Sequence, residues 1–158
     1  MNIPTTYYEW IQAIDYIKDK PQNDLYIETL RKGSLDTSGE LIYKIGQELG
    51  NVIKYRTEKT IASFTDYLKT GVDYNGLSLQ IIKVRKELNY SKKLVYLNIF
   101  PRDLSDKLAD VIQKNADQLQ ETLVEKTKDS DRSGILNSLI KQNPINRLEE
   151  IKWIITSV

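Results

Sequence analysis

The sequence predicts an all-α fold, an antiparallel helical bundle of about three long helices and three to four short ones. Apolar residues recur at spacings of three and four along nearly the whole chain, as in helices that bury one face. Residues that cap or break helices stand at the ends of these periodic segments. No linker or shift in composition divides the 158 residues, so we expect a single helical domain over residues 1–158.

Two short helices are predicted first. The first is expected to be capped by Thr5 or Thr6 and to be ended by Pro21, because proline cannot continue a helix. Its apolar stripe consists of Tyr7, Trp10, Ile11, Ile14 and Ile17. The second helix is predicted over about Asp24 to Arg31 and is expected to stop at Gly33.

The third predicted helix is the longest. It spans Asp36–Lys69 without a proline, and Gly71 closes it, which gives a length of roughly 50 Å if the helix is unbroken. The middle of this segment, residues 54–60, is polar apart from the ring of Tyr55. We therefore expect the helix either to cross solvent there or to bend.

The fourth helix is predicted to start near Asn75. Its apolar residues fall in a narrow arc of the helical wheel, at Leu77, Ile81, Val84, Leu88 and Val95. Basic residues occupy other positions: Lys83, Lys86 and Lys93 lie opposite the arc, and Arg85 and Lys92 flank it. Residues 93–100 are also rich in β-branched and aromatic types, which suits a strand. Residues 94–97 are all apolar and do not alternate, so we favour a helix.

The fifth helix is predicted to begin with Asp103 as its N-cap and to continue for about 25 residues into the polar run Lys126–Asp131. Two short helices are predicted to complete the chain. They cover about Arg132–Gln142 and Pro144–Thr156, with Asn143 as the N-cap of the last one.

The composition excludes several kinds of chemistry. The chain contains no cysteine and no histidine, which excludes thiol nucleophiles, imidazole acid–base catalysis, and zinc or haem sites built from those ligands. No pair of nucleophile and base stands out, so we expect no enzyme activity and no cofactor. We find neither a targeting segment nor an apolar run of membrane-spanning length, and we expect a cytoplasmic protein that does not bind membranes.

Calcium is a remote alternative as a ligand. The segment DSDRSGIL, which begins at Asp129, resembles the first part of an EF-hand loop, with carboxylates at positions one and three and glycine at position six. Position twelve should be a bidentate glutamate and is Ile140. Similar Asp-x-x-Gly segments begin at Asp36, Asp73 and Asp131. We interpret all three as helix N-termini and predict no metal site.

The basic middle third of the chain is the main candidate binding surface. Residues 51–100 carry 9 basic and 4 acidic residues, although the net charge of the whole chain is only +1. Side chains that converge on one face would contact phosphates, and tyrosine rings would stack on bases. The candidates are Lys54, Arg56, Lys59, Lys83, Arg85, Lys86, Lys92 and Lys93, with the rings of Tyr55 and Tyr90. The alternative interpretation is a solvated outer face of buried helices.

A second candidate surface is the N-terminal aromatic cluster of Tyr7, Tyr8 and Trp10. We interpret this cluster first as a staple that anchors the first helix to the bundle. Its functional alternative is a docking patch for a partner. Ten of the chain's aromatic residues are tyrosines, and tyrosine combines an apolar ring with a polar tip that suits protein interfaces.

These observations favour a non-catalytic protein–protein interaction module, such as a small accessory, regulatory, inhibitor or immunity-type protein. A nucleic-acid-binding regulator that uses residues 54–93 is the alternative, but the near-neutral total charge counts against it. We therefore expect a protein partner first and nucleic acid second, and a homo-oligomer is compatible with the sequence. The abundance of Lys, Ile, Asn and Tyr favours a bacterial or phage origin.

Overall fold

Six α-helices pack together in the computed structural model, which describes residues 2–20, 22–35, 37, 39–129, 131 and 133–151. They are α1 (Tyr7–Asp19), α2 (Asp24–Leu35), α3 (Gly39–Leu68), α4 (Tyr74–Val95), α5 (Arg102–Thr127) and α6 (Ile135–Gln142). No strand occurs in the described residues. The predicted all-α bundle is confirmed, with three long helices (α3, α4 and α5) and three short ones.

Side-chain caps fix two of the helix starts where the sequence predicts them. The Thr6 hydroxyl accepts the Glu9 N–H at 3.2 Å, and the Glu9 carboxylate accepts the Thr6 N–H at 3.2 Å. This capping box satisfies two backbone donors at the start of α1. Hydrogen bonds from the hydroxyls of Thr5 and Thr6 lower the pKa of the Glu9 carboxyl. At the start of α4, Asp73 accepts the Gly76 N–H at 2.6 Å.

Other predicted boundaries are wrong. Helix α2 continues through Gly33 to Leu35, since a glycine inside the last turn does not itself end a helix. Pro101, not Asp103, is the N-cap of α5, so the Asp103 carboxylate lies in the first turn, where it interacts favourably with the positive end of the helix dipole. The predicted helix from Pro144 is absent from residues 144–151, which form a turn followed by irregular chain.

Three expected boundary residues, Pro21, Asp36 and Arg132, lie outside the described residues, as do residues 152–158. The described part of the predicted sixth helix is shorter than expected and begins at Ile135. No helix in the described part of the chain is long and apolar enough to cross a lipid bilayer.

Helices α3 and α4 form an antiparallel pair. Tyr67 near the end of α3 approaches Gly76 near the start of α4, and Arg56 in the middle of α3 pairs with Glu87. Helix α1 instead runs parallel to α3 and lies along its first half. Its start is close to Lys44, which lies 6.0 Å from the ring of Tyr7, and its end is close to Tyr55, whose ring lies 5.0 Å from the Lys18 ammonium.

Helix α3 is continuous across residues 54–60, where the sequence predicts a solvent crossing or a bend. The solvent crossing is wrong, because Arg56 and Thr57 are each only 6% exposed. The end of α1 covers this part of α3, so the Arg56 side chain enters the protein there and finds partners on α1 and α4.

The segment after α4 is neither strand nor helix. Helix α4 ends at Val95, and residues 96–100 form a mostly buried bend in which Asn98 adopts a positive φ of 66°. The ring of Phe100 lies over Gly46 and Gly50 of α3, and a Cβ added to Gly46 would meet that ring at 3.6 Å, an ordinary van der Waals distance. The apolar run of residues 94–97 therefore reflects burial on all sides rather than a strand.

Candidate functional site

A cleft opens where α1 ends. Helix α1 stops at Asp19, but α3 continues to Leu68 and its antiparallel partner α4 continues beside it. Beyond α1, the groove between α3 and α4 forms a cleft with a volume of about 200 Å³. Its end wall is the end of α1 with the residue that follows, residues 18–20, and its two sides are residues 56–64 of α3 and 80–87 of α4.

The cleft lies over two apolar side chains of the core and has a polar wall. Phe64 of α3 and Val84 of α4 are 0% and 3% exposed, so they present almost no surface to a ligand. Ser63 and Gln80 supply polar wall groups on opposite helices. The side chains that a ligand reaches in the cleft therefore belong mainly to polar and basic residues.

The rim of the cleft is basic. Two acidic residues, Asp19 and Glu87, line it, against five basic ones: Lys18, Lys20, Arg56, Lys59 and Lys83. Both acids are engaged, because Glu87 pairs with Arg56 at 2.7 Å, and Asp19 pairs with Lys59 at 3.8 Å and accepts the Tyr55 hydroxyl at 3.0 Å. Among the described residues, neither Lys20 nor Lys83 forms an ion pair. The rim therefore carries an excess of positive charge.

Arg56 has a structural role that the sequence does not indicate. One guanidinium nitrogen donates to the carbonyls of Ile17 at 2.6 Å and Lys20 at 2.8 Å, and the other donates to Glu87 at 2.7 Å. The guanidinium also lies over the ring of Tyr90, 4.7 Å from its centroid. Arg56 thus neutralises the negative end of the α1 dipole and joins α1, α3 and α4.

The placement of Arg56 corrects part of the predicted binding surface. Arg56 is 6% exposed and Tyr90 is 1% exposed, so this arginine is not free to contact phosphates and this ring cannot stack on a base. Burial also raises the pKa of the Tyr90 hydroxyl to about 12. The sequence predicts both side chains at the surface because the residues around them are polar.

Lys92 is a second correction. It is 8% exposed, and its ammonium donates to the carbonyl of Glu149 at 2.6 Å, which ties the chain after α6 to α4. Burial lowers the pKa of Lys92. Lys92 also lines a second cleft of about 530 Å³, whose other charged residues are Arg102, Asp106, Asp110 and Glu150. That cleft mixes both signs of charge and does not select an anion.

The remaining basic candidates do not form one face. Lys59 and Lys83 both line the cleft, but Lys54 and Lys86 are exposed elsewhere on the same two helices. Lys93 is partly buried and pairs with an aspartate of α2 at 3.3 Å. The structure therefore brings Lys59 and Lys83 together at the cleft and leaves the other basic candidates away from it.

Tyr55 stands beside the cleft. Its ring lies 5.0 Å from the ammonium of Lys18 and 5.6 Å from that of Lys59, and its hydroxyl donates to Asp19. These contacts hold the two lysines next to the end of α1. Arg85, another candidate, is half-buried on α4 and does not line the cleft.

The three residues of the N-terminal aromatic cluster also differ in exposure. Trp10 is 1% exposed and belongs to the core, so it cannot be a docking residue and acts as the expected staple. Tyr7 and Tyr8 are 44% and 70% exposed. A docking role for these two tyrosines stays a prediction.

The calcium-like segment has a structural role at the start of α6. The Asp131 carboxylate accepts the N–H groups of Leu136 at 3.3 Å and Asn137 at 2.7 Å. It therefore satisfies the free donors at the N-terminus of α6, as the helix-start interpretation predicts. The described residues contain no cluster of acidic side chains suited to a metal ion.

Two residues of the cleft, Lys18 and Lys20, are not predicted from the sequence. The sequence shows only that both lysines lie at the end of α1, where basic residues usually interact with the negative end of the helix dipole. Nothing local shows that this turn ends beside α3 and α4, because the parallel placement of α1 on α3 depends on contacts over 36 to 39 residues.

No family model, no curated protein and no solved structure matches this chain. The geometry and charge of the cleft are therefore the basis for assigning a function.

Proposed function

We propose that this chain is a non-catalytic protein-binding module that holds an acidic segment of a partner protein in the cleft at the end of α1. One observation carries the proposal: Lys20 and Lys83, which form no ion pair within the described residues, come from different parts of the fold and meet around one concavity with Lys59, which pairs with Asp19 at 3.8 Å. The carboxylates of an acidic segment complement this excess of positive charge.

A protein ligand fits the site better than nucleic acid. Of the predicted phosphate contacts, Arg56 and Lys92 are buried and engaged with backbone carbonyls. Of the two predicted stacking rings, Tyr90 is buried, and Tyr55 lies between two lysines of this chain. The net charge of +1 also gives little general attraction to a polyanion. A cytoplasmic location and a bacterial or phage origin remain predictions.

The proposal is tested by affinity capture from cells of the source organism after nuclease treatment. The decisive variant is the cleft pair, Lys59→Glu/Lys83→Glu. Its matched control is the outer pair, Lys54→Glu/Lys86→Glu, which makes the same change in net charge on the same two helices. We expect the wild type and the outer pair to retain a protein that the cleft pair loses.

Two results would overturn the proposal. Capture that is equal for the wild type and the cleft pair would show that the cleft is not the binding surface. Material that disappears on nuclease treatment, with both pairs weakening its retention equally, would favour a nucleic-acid binder with a diffuse basic face.

A further inference from the structure

We infer that Asp19 is a built-in competitor for the acidic ligand, because its carboxylate is paired with Lys59 in the cleft until a carboxylate of the partner replaces it. The inference rests on the proposed function and adds the residue that determines how acidic the partner segment must be. Its support comes from the contacts of Asp19, its exposure and its place at the end of α1.

The contacts of Asp19 are those of a carboxylate at the surface of the cleft. It lies 3.8 Å from the Lys59 ammonium and accepts the Tyr55 hydroxyl at 3.0 Å. The side chains of Asp19 and Lys59 are 59% and 64% exposed. Ion pairs between exposed side chains contribute little to stability, because water screens them and holding both side chains in place costs entropy. An anion in the cleft can therefore replace Asp19 beside Lys59 without a change in the fold.

Glu87, the other acid that lines the cleft, is not replaceable in this way. It pairs with Arg56 at 2.7 Å, and the side chains of Glu87 and Arg56 are only 27% and 7% exposed. The same guanidinium donates to carbonyls at the end of α1. Separating Glu87 from Arg56 would leave a buried charge unpaired. Of the two acids that line the cleft, Asp19 is therefore the one that an arriving anion displaces.

The position of Asp19 does not suit a role in stabilising α1. Asp19 is the last residue of that helix. The carbonyl end of a helix dipole is negative, so a basic residue is favourable there and an acidic one is unfavourable. Since Asp19 also lines the cleft, its charge acts on the lysines of the cleft rather than in favour of the helix.

Asp19 determines how many acidic groups a ligand needs. While Asp19 is paired with Lys59, Lys20 and Lys83 are left without an ion pair among the described residues. A single carboxylate that replaces Asp19 only exchanges one partner of Lys59 for another. A segment with several acidic residues also reaches Lys20 or Lys83, so the cleft favours such a segment over an isolated acid.

The test measures the binding of hexaglutamate, labelled with a neutral fluorophore, to the full chain by fluorescence anisotropy at low salt. The variants are Asp19→Asn, Lys59→Met and the two combined. The matched control is Asp66→Asn, because Asp66 is also an exposed aspartate that lies 3.8 Å from a lysine ammonium, but it does not line the cleft. Thermal unfolding checks that each variant is folded.

We expect Asp19→Asn to bind hexaglutamate about fivefold more tightly than the wild type, and Asp66→Asn to change the affinity by less than about twofold. In the Lys59→Met background, Asp19→Asn should raise the affinity by less than about twofold, because the lysine that Asp19 pairs with is absent. Equal gains from Asp19→Asn and Asp66→Asn would overturn the inference, since they would reflect net charge alone. An equal gain from Asp19→Asn with and without Lys59 would also overturn it.

Failure of this inference is distinguishable from failure of the proposed function. If the cleft pair loses a captured protein, but Asp19→Asn captures no more of it than the wild type does, the cleft is a protein-binding site for which Asp19 does not compete. If Asp19→Asn binds hexaglutamate more tightly, but capture is equal for the wild type and the cleft pair, Asp19 competes for acids at a cleft that is not the protein-binding surface.

Discussion

Arg56 shows how much a single residue depends on distant parts of the chain. Its guanidinium has acceptors on Ile17, Lys20 and Glu87, which lie 31 to 39 residues away in the sequence. These partners satisfy the charge that burial would otherwise leave unpaired. The local sequence around Arg56 is polar, so only the tertiary contacts explain why this arginine is buried and the neighbouring Lys54 is exposed.

Replacing Arg56 by methionine should lower the free energy of unfolding by about 3 kcal/mol, because the carbonyls at the end of α1 and the Glu87 carboxylate lose their donor. Lys54→Met is the control and should change it by less than about 0.5 kcal/mol, since Lys54 is exposed. Urea unfolding measures both. Equal stability of the two variants would contradict the role of Arg56 as the clamp on α1.

The buried hydroxyl of Tyr90 predicts a loss of stability in alkaline solution. Burial raises the pKa of this hydroxyl from 10.0 to about 12. Between pH 10 and 12 the folded chain keeps this proton and the unfolded chain loses it, so the free energy of unfolding falls as the pH rises. The contribution of this one group approaches about 1.4 kcal/mol per pH unit within that window.

Tyr90→Phe removes this contribution, so its free energy of unfolding should fall less steeply between pH 10 and 12 than that of the wild type. The measurement is a series of urea unfolding curves across that range. Tyr8→Phe, at an exposed tyrosine, serves as the control. A slope for Tyr90→Phe equal to that of the wild type would show that this hydroxyl is not buried.

Helices are the scale at which the sequence is most informative. The capping residues Thr6 and Asp73 act within three residues of their partners, so local chemistry is enough to find both helix starts. The favoured helix over residues 93–100 holds only to Val95, and the alternative strand is wrong, because a buried bend contains the same apolar residue types. The last predicted helix is absent over residues 144–151, where Ile145 and Asn146 bond to side chains of α5.

Two glycines inside helices should respond to alanine in opposite ways. A Cβ on Gly33 of α2 would lie 3.0 Å from the Pro4 carbonyl oxygen and 3.2 Å from the Trp10 ring, so Gly33→Ala should destabilise the protein by about 1–2 kcal/mol. A Cβ on Gly46 of α3 would meet the Phe100 ring at 3.6 Å, an ordinary contact. Gly46→Ala should therefore stabilise the protein by about 0.5–1 kcal/mol through helix propensity.

Thermal and urea unfolding of the two alanine variants tests this pair of predictions. Because both substitutions add one methyl group to a helix, the difference between them isolates the space around each glycine. A destabilising Gly46→Ala would mean that Phe100 packs more tightly on α3 than the structure shows. A neutral Gly33→Ala would mean that α2 does not press against the N-terminal segment.

At the scale of the whole molecule, the site depends on how the helices are arranged around one another. Lys59 and Lys83 are predicted from the sequence because the middle third of the chain is basic. Lys18 and Lys20 are not, because they join the site only through the parallel course of α1 along α3. Helical periodicity indicates which face of each helix is buried, but it does not indicate which helix covers that face or where the cover ends.

The basic side chains of α3 and α4 are divided between a concave cleft and an open surface, and the proposed function depends on this division. The chain has no cysteine, so Ser63→Cys allows a neutral fluorophore to be placed at a single position on the wall of the cleft. Iodide, an anion, and acrylamide, which is uncharged, then quench this fluorophore in parallel titrations at low salt. The ratio of the two quenching constants reports the local positive potential.

We predict that the cleft pair lowers the iodide-to-acrylamide ratio about two- to fivefold, because it reverses the charges on both sides of the fluorophore. The outer pair, with the same change in net charge, should leave the ratio nearly unchanged. Equal reductions by the two pairs would contradict the division, since they would show that all four lysines belong to one open, solvated flank.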